Sequence, residues 1–219
     1  MSDAAMQPDI EVTPFDAAAF AAATGATAGQ MADLERFRDL LEAGNQRMNL
    51  VGPSALREFW LRHAYDSAQL QAAAPGARTW ADLGAGAGFP GVVLAILLKE
   101  TDGAKVHLVE SLAKRCGFLA EVVSSLGLPA VVHRARAEEL KPTPKVEVVT
   151  ARACAPLERL LGYAEPFMKG GARGLFLKGR TADEEVVEAR KRWRFEVALT
   201  PSLSDPSGRI VGVERLGRV

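Results

Sequence analysis

The chain has 219 residues, 48% of them hydrophobic and 25% charged, which is typical of a globular protein with enough material for a sizeable core. Its 27 basic and 27 acidic side chains give a formal net charge of zero, so the global charge neither indicates nor excludes a nucleic-acid partner. No apolar run approaches the ~20 residues of a membrane-spanning helix, no basic leader is present, and the two cysteines form no metal-binding pattern, so we expect a cytoplasmic protein without a membrane segment or a metal.

Residues 1–76 are predicted to form an N-terminal helical extension. Thr13-Pro14 has the pattern of an N-cap followed by a first-turn proline, and opens a helix that Gly25 ends. Thr27 is predicted to cap the second helix, in which apolar residues recur at spacings of three and four. A third helix is expected over residues 53–74.

Residues 77–219 are predicted to form an α/β core. Short apolar runs alternate there with helical patterns, an order that is typical of βαβ units and a mainly parallel sheet. Two final runs without a helix between them, at 195–200 and 209–215, predict a hairpin that completes a seven-stranded sheet. The earlier strands are expected at 79–83, 106–109, 130–132, 146–149 and 174–177, and the helices at 90–99, 112–126, 157–168 and 183–192.

The densest functional pattern is the glycine-rich stretch after the first predicted strand. Gly84, Gly86 and Gly88 stand between a strand and a helix, where glycines allow a tight turn and the close approach of a ligand. Asp82 precedes them, and an acid before G-x-G-x-G favours S-adenosylmethionine, whose ammonium group needs a negative neighbour. Glu110 ends the next strand, where a carboxylate can accept hydrogen bonds from both hydroxyls of a ribose.

Other functions fit parts of the same region. Residues 86–91 satisfy G-x-G-x-x-G, so an NAD(P)-dependent oxidoreductase stays open, although the chain has no Tyr-x-x-x-Lys pair. Cys154 follows the fourth predicted strand, near the place of the thiolate nucleophile in an RNA cytosine-C5 methyltransferase, but it lacks the usual Pro-Cys context. A non-catalytic RNA-binding factor that kept the fold is a further alternative.

Six short motifs are distinctive in their order and spacing. They are Asn49-Leu50-Val51, Arg62-His63-Ala64-Tyr65-Asp66-Ser67, the stretch 82–91, Leu108-Val109-Glu110-Ser111-Leu112-Ala113-Lys114-Arg115, Ala151-Arg152-Ala153 and Leu177-Lys178-Gly179. Through them the chain resembles, over residues 45–178, the ribosomal RNA small subunit methyltransferase G family, also called the glucose-inhibited division protein B family. That family often has Asn-Leu-Thr where this chain has Val51 as the third residue.

The resemblance implies a class I (Rossmann-like) S-adenosylmethionine-dependent methyltransferase that methylates N7 of a guanine in 16S rRNA, in the loop near the decoding site. Its partner would be the small ribosomal subunit or an assembly precursor. Guanine N7 has an in-plane lone pair and no proton, so the reaction needs no general base, and proximity carries much of the catalysis. By resemblance, the cofactor contacts include Gly84, Phe89, Ala137, Glu138 and Arg152.

Other polar residues are candidates for holding the substrate. His63 and Asp66 lie three residues apart on a predicted helix and share a face, so they either position the substrate, together with Arg152, or form a packing pair. Several basic residues lie near the predicted strand ends, where they would contact RNA phosphates. These RNA-binding candidates are Lys114, Arg115, Arg134, Arg136 and Lys178.

Overall fold

A computed structural model describes residues 15–52, 54 and 56–219. Its strands are β1 (Thr79–Leu83), β2 (Lys105–Glu110), β3 (Ala130–Arg134), β4 (Val148–Arg152), β5 (Arg173–Lys178), β6 (Trp193–Pro201) and β7 (Arg209–Arg218). They form one sheet in the order β3-β2-β1-β4-β5-β7-β6. The first five strands in this order are parallel to one another, whereas β7 runs antiparallel to both β5 and β6. The predicted seven-stranded, mainly parallel sheet with a final hairpin is therefore confirmed.

Helices cover both faces of this sheet. They are α1 (Ala17–Thr24), α2 (Ala28–Met48), α3 (Asp66–Ala73), α4 (Gly91–Leu97), α5 (Ala113–Leu126), α6 (Leu157–Lys169) and α7 (Ala182–Ala189), with a π-helix at Phe59–Tyr65 and a 3₁₀ turn at Ala137–Glu139. None of the helices in the described part of the chain combines the length and the apolar character needed to cross a membrane.

Successive side chains of each central strand enter two different cores, because they point to opposite faces of the sheet. Trp80 and Val148 pack in the core that contains the N-terminal helices, α4 and α5. Ala81 and Val149 pack in the other core, with α6 and α7. All four side chains are fully buried. Burial on both faces explains why continuous apolar runs, rather than alternating ones, predict these strands correctly.

The predicted end of the first helix at Gly25 and the predicted cap of the second helix at Thr27 are confirmed. α1 ends at Gly25, which has a φ of 69°, and begins after Asp16, whose side chain accepts from the N–H of Ala19. α2 begins after Thr27, whose hydroxyl accepts from the N–H of Gln30 while the Gln30 side chain accepts from the N–H of Thr27. The predicted Thr13-Pro14 cap lies outside the described residues.

The prediction of a single helix over residues 53–74 was wrong at its start, before Phe59. Pro53 and Ala55 lie outside the described residues, and the helical segment begins only at Phe59, as a π-helix that continues into α3. A π-helix closes wider turns than an α-helix and is frequent at functional sites. It ends beside the hydroxyl of Ser67, which donates to the carbonyl oxygen of His63 at 2.6 Å.

Three element boundaries that differ from the sequence-based expectation have a physical reason. β4 runs to Arg152 rather than ending at residue 149, because its backbone pairing with β5 continues after the apolar run has ended. α7 ends at Ala189 rather than at residue 192, and β6 starts two residues early, because Trp193 enters the core there. The longer β4 matters for function, because it brings Arg152 to the same sheet edge as the glycine-rich turn.

Candidate active site

The turn that follows β1 is built on three glycines with positive φ. Gly84, Gly86 and Gly88 have φ values of 71°, 55° and 101°, which L side chains rarely adopt. The N–H of Gly84 donates to the carbonyl oxygen of Val109 at 2.8 Å, which holds the turn against the end of β2. A Cβ atom on Gly84 would lie 2.8 Å from Sγ of Cys154. Glycine is therefore required here both for the conformation and for the space.

Glu110, the last residue of β2, faces this turn. Its Oε2 accepts from the N–H of Gly86 at 3.1 Å and its Oε1 accepts from the N–H of Leu112 at 2.8 Å. The residue is buried and borders a pocket of about 180 Å³. Two backbone donors thus fix the carboxylate at the mouth of a cavity. That small pocket is lined by Gly84, Glu110, Arg136, Ala137, Glu138, Cys154 and Tyr163, among others.

Asp82, the penultimate residue of β1, has an oxygen without a hydrogen-bond partner in the described part of the chain. Its Oδ2 accepts from the N–H of Gly91 at 2.9 Å, whereas its Oδ1 is buried and has no partner within the described residues. Burial raises the pKa of this carboxyl to about 7, although the Gly91 N–H and the charge of Arg152 act in the opposite direction. A buried acceptor without a partner is costly, so the site is suited to a ligand that brings a donor or a positive charge.

Arg152 joins the end of β4 to the π-helix. Its Nη1 lies 2.6 Å from Nδ1 of His63 and donates to the carbonyl oxygen of Arg62 at 3.0 Å. The guanidinium lies over the ring of Phe89, 5.0 Å from its centre, and the ring of His63 stacks on the same phenyl ring at 4.9 Å. Burial, and then the charges of Arg152 and Arg62, lower the pKa of His63 to about 3. His63 is therefore neutral at physiological pH and accepts from Arg152.

A larger cleft of about 720 Å³ opens next to the small pocket. Its walls come from the π-helix, from the loop after β4 and from the loop between β6 and β7. Cys154 borders both cavities, so molecules bound in the two would meet beside this residue. The large cleft is lined by Glu58, Arg62, His63, Asp66, Arg152, Cys154, Lys178, Glu185 and Asp205, among others.

The loop between β6 and β7 is tied to the helical extension by residues that the sequence analysis missed. Ser204 donates to Oδ1 of Asp66 at 2.7 Å, and the hydroxyl of Ser202 lies 3.2 Å from the same oxygen. Asp205 forms an ion pair with Arg62 at 2.7 Å. These partners are more than 130 residues apart in sequence, and the only local signal is a polar loop rich in serine. The predicted pair His63 and Asp66 thus faces the cleft from one side.

The surroundings of Cys154 do not favour a role as a thiolate nucleophile. Cys154 lies between Gly84 and the cleft, but burial and the nearby charges of Asp82 and Glu110 raise the pKa of its thiol. A thiol held in its protonated form is a poor nucleophile. In the part of the chain that the structure describes, no three His, Cys, Asp or Glu side chains are grouped to hold a metal ion.

The predicted RNA-binding residues have different surroundings. Lys178 donates to the carbonyl oxygen of Ala155 at 2.6 Å and to Oε2 of Glu185 at 2.7 Å, and its side chain is only 8% exposed. It therefore fastens the loop after β4 to α7, which argues against a phosphate contact. The other four candidates are Arg134 at the end of β3, Arg136 on the wall of the small pocket, and Lys114 and Arg115 in the first turn of α5.

Comparison with solved structures identifies the fold. An O-methyltransferase from Bacillus cereus, in complex with SAH, is 16% identical, with a TM-score of 0.56 over 84% of this chain and 91% of its own. The glycopeptide N-methyltransferase MtfA, complexed with S-adenosyl-L-methionine, is 10% identical, with a TM-score of 0.55 over 71% of this chain and 95% of its own. The architecture is thus that of class I methyltransferases.

Sequence comparison identifies the family. The profile of the GidB family, described as rRNA small subunit methyltransferase G, matches residues 30–208. Ribosomal RNA small subunit methyltransferase G from Caulobacter vibrioides (strain NA1000 / CB15N) is 59% identical over 217 residues, which are 98% of this chain and the full length of that relative. The protein of the same name from Bradyrhizobium sp. (strain ORS 278) is 46% identical over 84% of each chain. The chain therefore belongs to the rRNA small subunit methyltransferase G family, as the sequence motifs predicted, and is an rRNA methyltransferase by membership.

Proposed function

We propose that this protein transfers the methyl group of S-adenosylmethionine to N7 of a guanine in 16S rRNA, in the loop near the decoding site, acting on the small subunit or an assembly precursor. The observation that carries the cofactor assignment is the buried, unpartnered Oδ1 of Asp82 beside the glycine turn. The guanine position is the expectation that the family resemblance implies.

The residues around the glycine turn fit this cofactor. Asp82 offers a free acceptor to its ammonium group, and Glu110 offers an oriented carboxylate to its ribose hydroxyls. Gly86 has no other atom within 3.4 Å of the position that a Cβ would take, so the turn leaves open space for a ligand. When bound, S-adenosylmethionine supplies an electrophilic methyl group on a positively charged sulfur.

The large cleft has the properties that an N7 nucleophile needs. Guanine N7 requires no proton removal, so the protein has to hold the base in line with the methyl group rather than provide a general base. The attacked base becomes positively charged. His63 stays neutral there, and the carboxylate of Asp66 supplies compensating negative charge on the same wall.

One observation weighs against the nicotinamide alternative. A dinucleotide binds with its pyrophosphate at the N-terminus of the helix that follows the glycine turn. In this chain the N–H of Gly91, at the start of α4, donates to the buried carboxylate of Asp82. A pyrophosphate at that position would meet a carboxylate and lose this donor.

Calorimetry with the purified protein tests the cofactor assignment. We expect saturable binding of S-adenosylhomocysteine and no binding of NADPH under the same conditions. The reverse selectivity would support the oxidoreductase alternative. Binding of S-adenosylhomocysteine without methyl transfer to rRNA would support a non-catalytic RNA-binding factor.

Deletion of the gene tests the substrate assignment. We expect 16S rRNA from the deletion strain to lose one N7-methylguanine. The wild-type gene should restore it, and a Gly86→Asp variant, which places a carboxylate in the turn, should not. An unchanged methylation pattern in the deletion strain would refute the substrate.

A further inference from the structure

The large cleft contains one carboxylate that is both oriented and available for a ligand. Four acidic residues line the cleft: Glu58, Asp66, Glu185 and Asp205. Glu185 accepts hydrogen bonds from Lys178 and from two further donors. Asp205 forms an ion pair with Arg62 and accepts hydrogen bonds from Ser207. Glu58 is exposed and has no side-chain partner within the described residues that would orient it.

Asp66 differs from the other three acids. Its Oδ1 receives the hydroxyl of Ser204 at 2.7 Å and lies 3.2 Å from the hydroxyl of Ser202, and these contacts fix the plane of the carboxylate. Its Oδ2 makes no hydrogen bond within the described residues. A carboxylate held through one oxygen by hydroxyl groups presents the other oxygen as a directed acceptor.

The position of Asp66 connects this acceptor to the reaction site. Asp66 and Arg152 both line the large cleft, and Cys154 joins that cleft to the small pocket. A base that directs N7 towards that pocket still has its amino-bearing edge free for recognition.

The chemistry of guanine indicates which of its groups would donate a hydrogen bond to Asp66. N7 must stay free for the attack, so recognition has to use another edge. Guanine differs from adenine and hypoxanthine in its exocyclic amino group on C2, which is a pure hydrogen-bond donor. A carboxylate oxygen is the matching acceptor, and a hydrogen bond to a charged acceptor is stronger than one between neutral groups.

We infer that Oδ2 of Asp66 accepts a hydrogen bond from the 2-amino group of the target guanine and so makes the enzyme selective for guanine. Ser204 and Ser202 act as positioning residues that aim the carboxylate. This inference rests on the proposed function, because it assumes that a guanine occupies the large cleft. It adds a residue that sets specificity to a reaction that otherwise needs only alignment.

The test compares two substrates and three variants. Small subunits are reconstituted with 16S rRNA that carries either guanine or hypoxanthine, which lacks the 2-amino group, at the target position. Methyl transfer from S-adenosylmethionine is measured as kcat/KM with the wild type, Asp66→Asn and Ser204→Ala. Glu58→Gln is the matched control, because it neutralises another acid of the same cleft.

For the wild type we expect hypoxanthine to lower kcat/KM by roughly 10- to 100-fold, the loss expected for a hydrogen bond to a charged group. Asp66→Asn should be slow on guanine and should show no further loss on hypoxanthine. Ser204→Ala should reduce the preference partly, and Glu58→Gln should keep it.

Equal factors of loss on both substrates would show that Asp66 acts only through its negative charge or by tying the loop between β6 and β7 to the helical extension, and would overturn the inference. Should Asp66→Asn fail to bind S-adenosylhomocysteine, the decision rests on Ser204→Ala, for which an unchanged preference overturns it. A wild type that does not methylate the guanine substrate at all would contradict the proposed function instead.

Discussion

Nη1 of Arg152 and Nδ1 of His63 lie 2.6 Å apart, with both side chains on the ring of Phe89. An arginine can only donate, so the histidine nitrogen must accept and the imidazole must be neutral. The contact joins the end of β4 to the π-helix, which are 89 residues apart in sequence. It therefore sets the position of the cleft wall relative to the glycine turn.

Substitution of Arg152 by lysine tests this contact. An ammonium group cannot lie flat over Phe89 while it donates to both His63 and the carbonyl oxygen of Arg62. We expect Arg152→Lys to lower kcat/KM for methyl transfer by about tenfold or more, which corresponds to about 1.4 kcal/mol. The matched control is Arg180→Lys, at an exposed position. Full activity of Arg152→Lys would contradict the role given to the guanidinium.

Asp82 is expected to lower the stability of the ligand-free protein in return for cofactor affinity. The pKa of Asp82 is about 7 in the native state and 3.8 in the unfolded chain. Between these values the native state keeps a proton that the unfolded chain has lost. The free energy of unfolding therefore falls as the pH rises through the native pKa of about 7. Asp82→Asn keeps an acceptor for Gly91 and removes the buried charge. At pH 8 it should raise Tm, by about 2–4 °C for each kcal/mol gained.

The same variant should bind S-adenosylhomocysteine more weakly, because the ammonium group loses its negative partner. Thermal unfolding and calorimetry on one preparation measure both effects. An unchanged affinity with a raised Tm would mean that the carboxylate has no contact with the cofactor.

The stacked pair His107 and His133 should make the protein sensitive to acid. Nδ1 of His107 lies 2.8 Å from Nε2 of His133, and burial lowers the pKa of both rings, that of His107 to about 4. The native state therefore resists protonation while the unfolded chain accepts protons below its pKa of about 6.5. Stability should fall as the pH falls from about 6.5 towards 4.

Urea unfolding at pH 7 and pH 5 measures this effect. The drop in the free energy of unfolding between these pH values should be smaller in the double variant His107→Asn/His133→Asn than in the wild type. The comparison uses the drop rather than the absolute stability, because replacing buried histidines also changes packing. Equal drops would assign the acid sensitivity to other groups.

Alanine at Gly86 separates conformational strain from loss of ligand space. Gly86 and Gly103 both have positive φ, of 55° and 73°, and neither has a neighbour that a new Cβ would strike. Both alanine variants should lose a similar stability of about 1–2 kcal/mol. Only Gly86→Ala should also weaken binding of S-adenosylhomocysteine, since only that methyl group enters the turn. Equal affinities in the two variants would place the cofactor elsewhere.

Lys178 is expected to act on stability rather than on RNA affinity. Lys178→Met removes one partner of a largely buried ion pair and should cost roughly 1–3 kcal/mol, less than the loss in a fully buried pair. The double variant Lys178→Met/Glu185→Gln should recover part of that loss. Thermal unfolding measures both, and RNA affinity in high and low salt is the control. A selective loss of RNA binding in Lys178→Met would restore its predicted role.

Features whose residues are close in sequence could be predicted, whereas contacts between distant residues could not. The strands and the glycine turn could be predicted because apolar runs, glycines and the acid before them act within a few residues of one another. Ser202, Ser204 and Asp205 could not, because their partners Asp66 and Arg62 are more than 130 residues away and serines in a loop resemble any solvated turn. Lys178 was predicted to contact RNA, but its charge is paired with Glu185 inside the protein. Only the tertiary structure shows this pairing.

We propose that the turn after β1 holds S-adenosylmethionine for methyl transfer to a guanine N7. The most direct measurement is incubation of the purified protein with small subunits from the deletion strain and methyl-labelled S-adenosylmethionine, followed by mass spectrometry of the 16S rRNA nucleosides. We expect one labelled N7-methylguanosine for each subunit. Label on cytosine C5 or on an exocyclic amine, or no label in the rRNA, would contradict it.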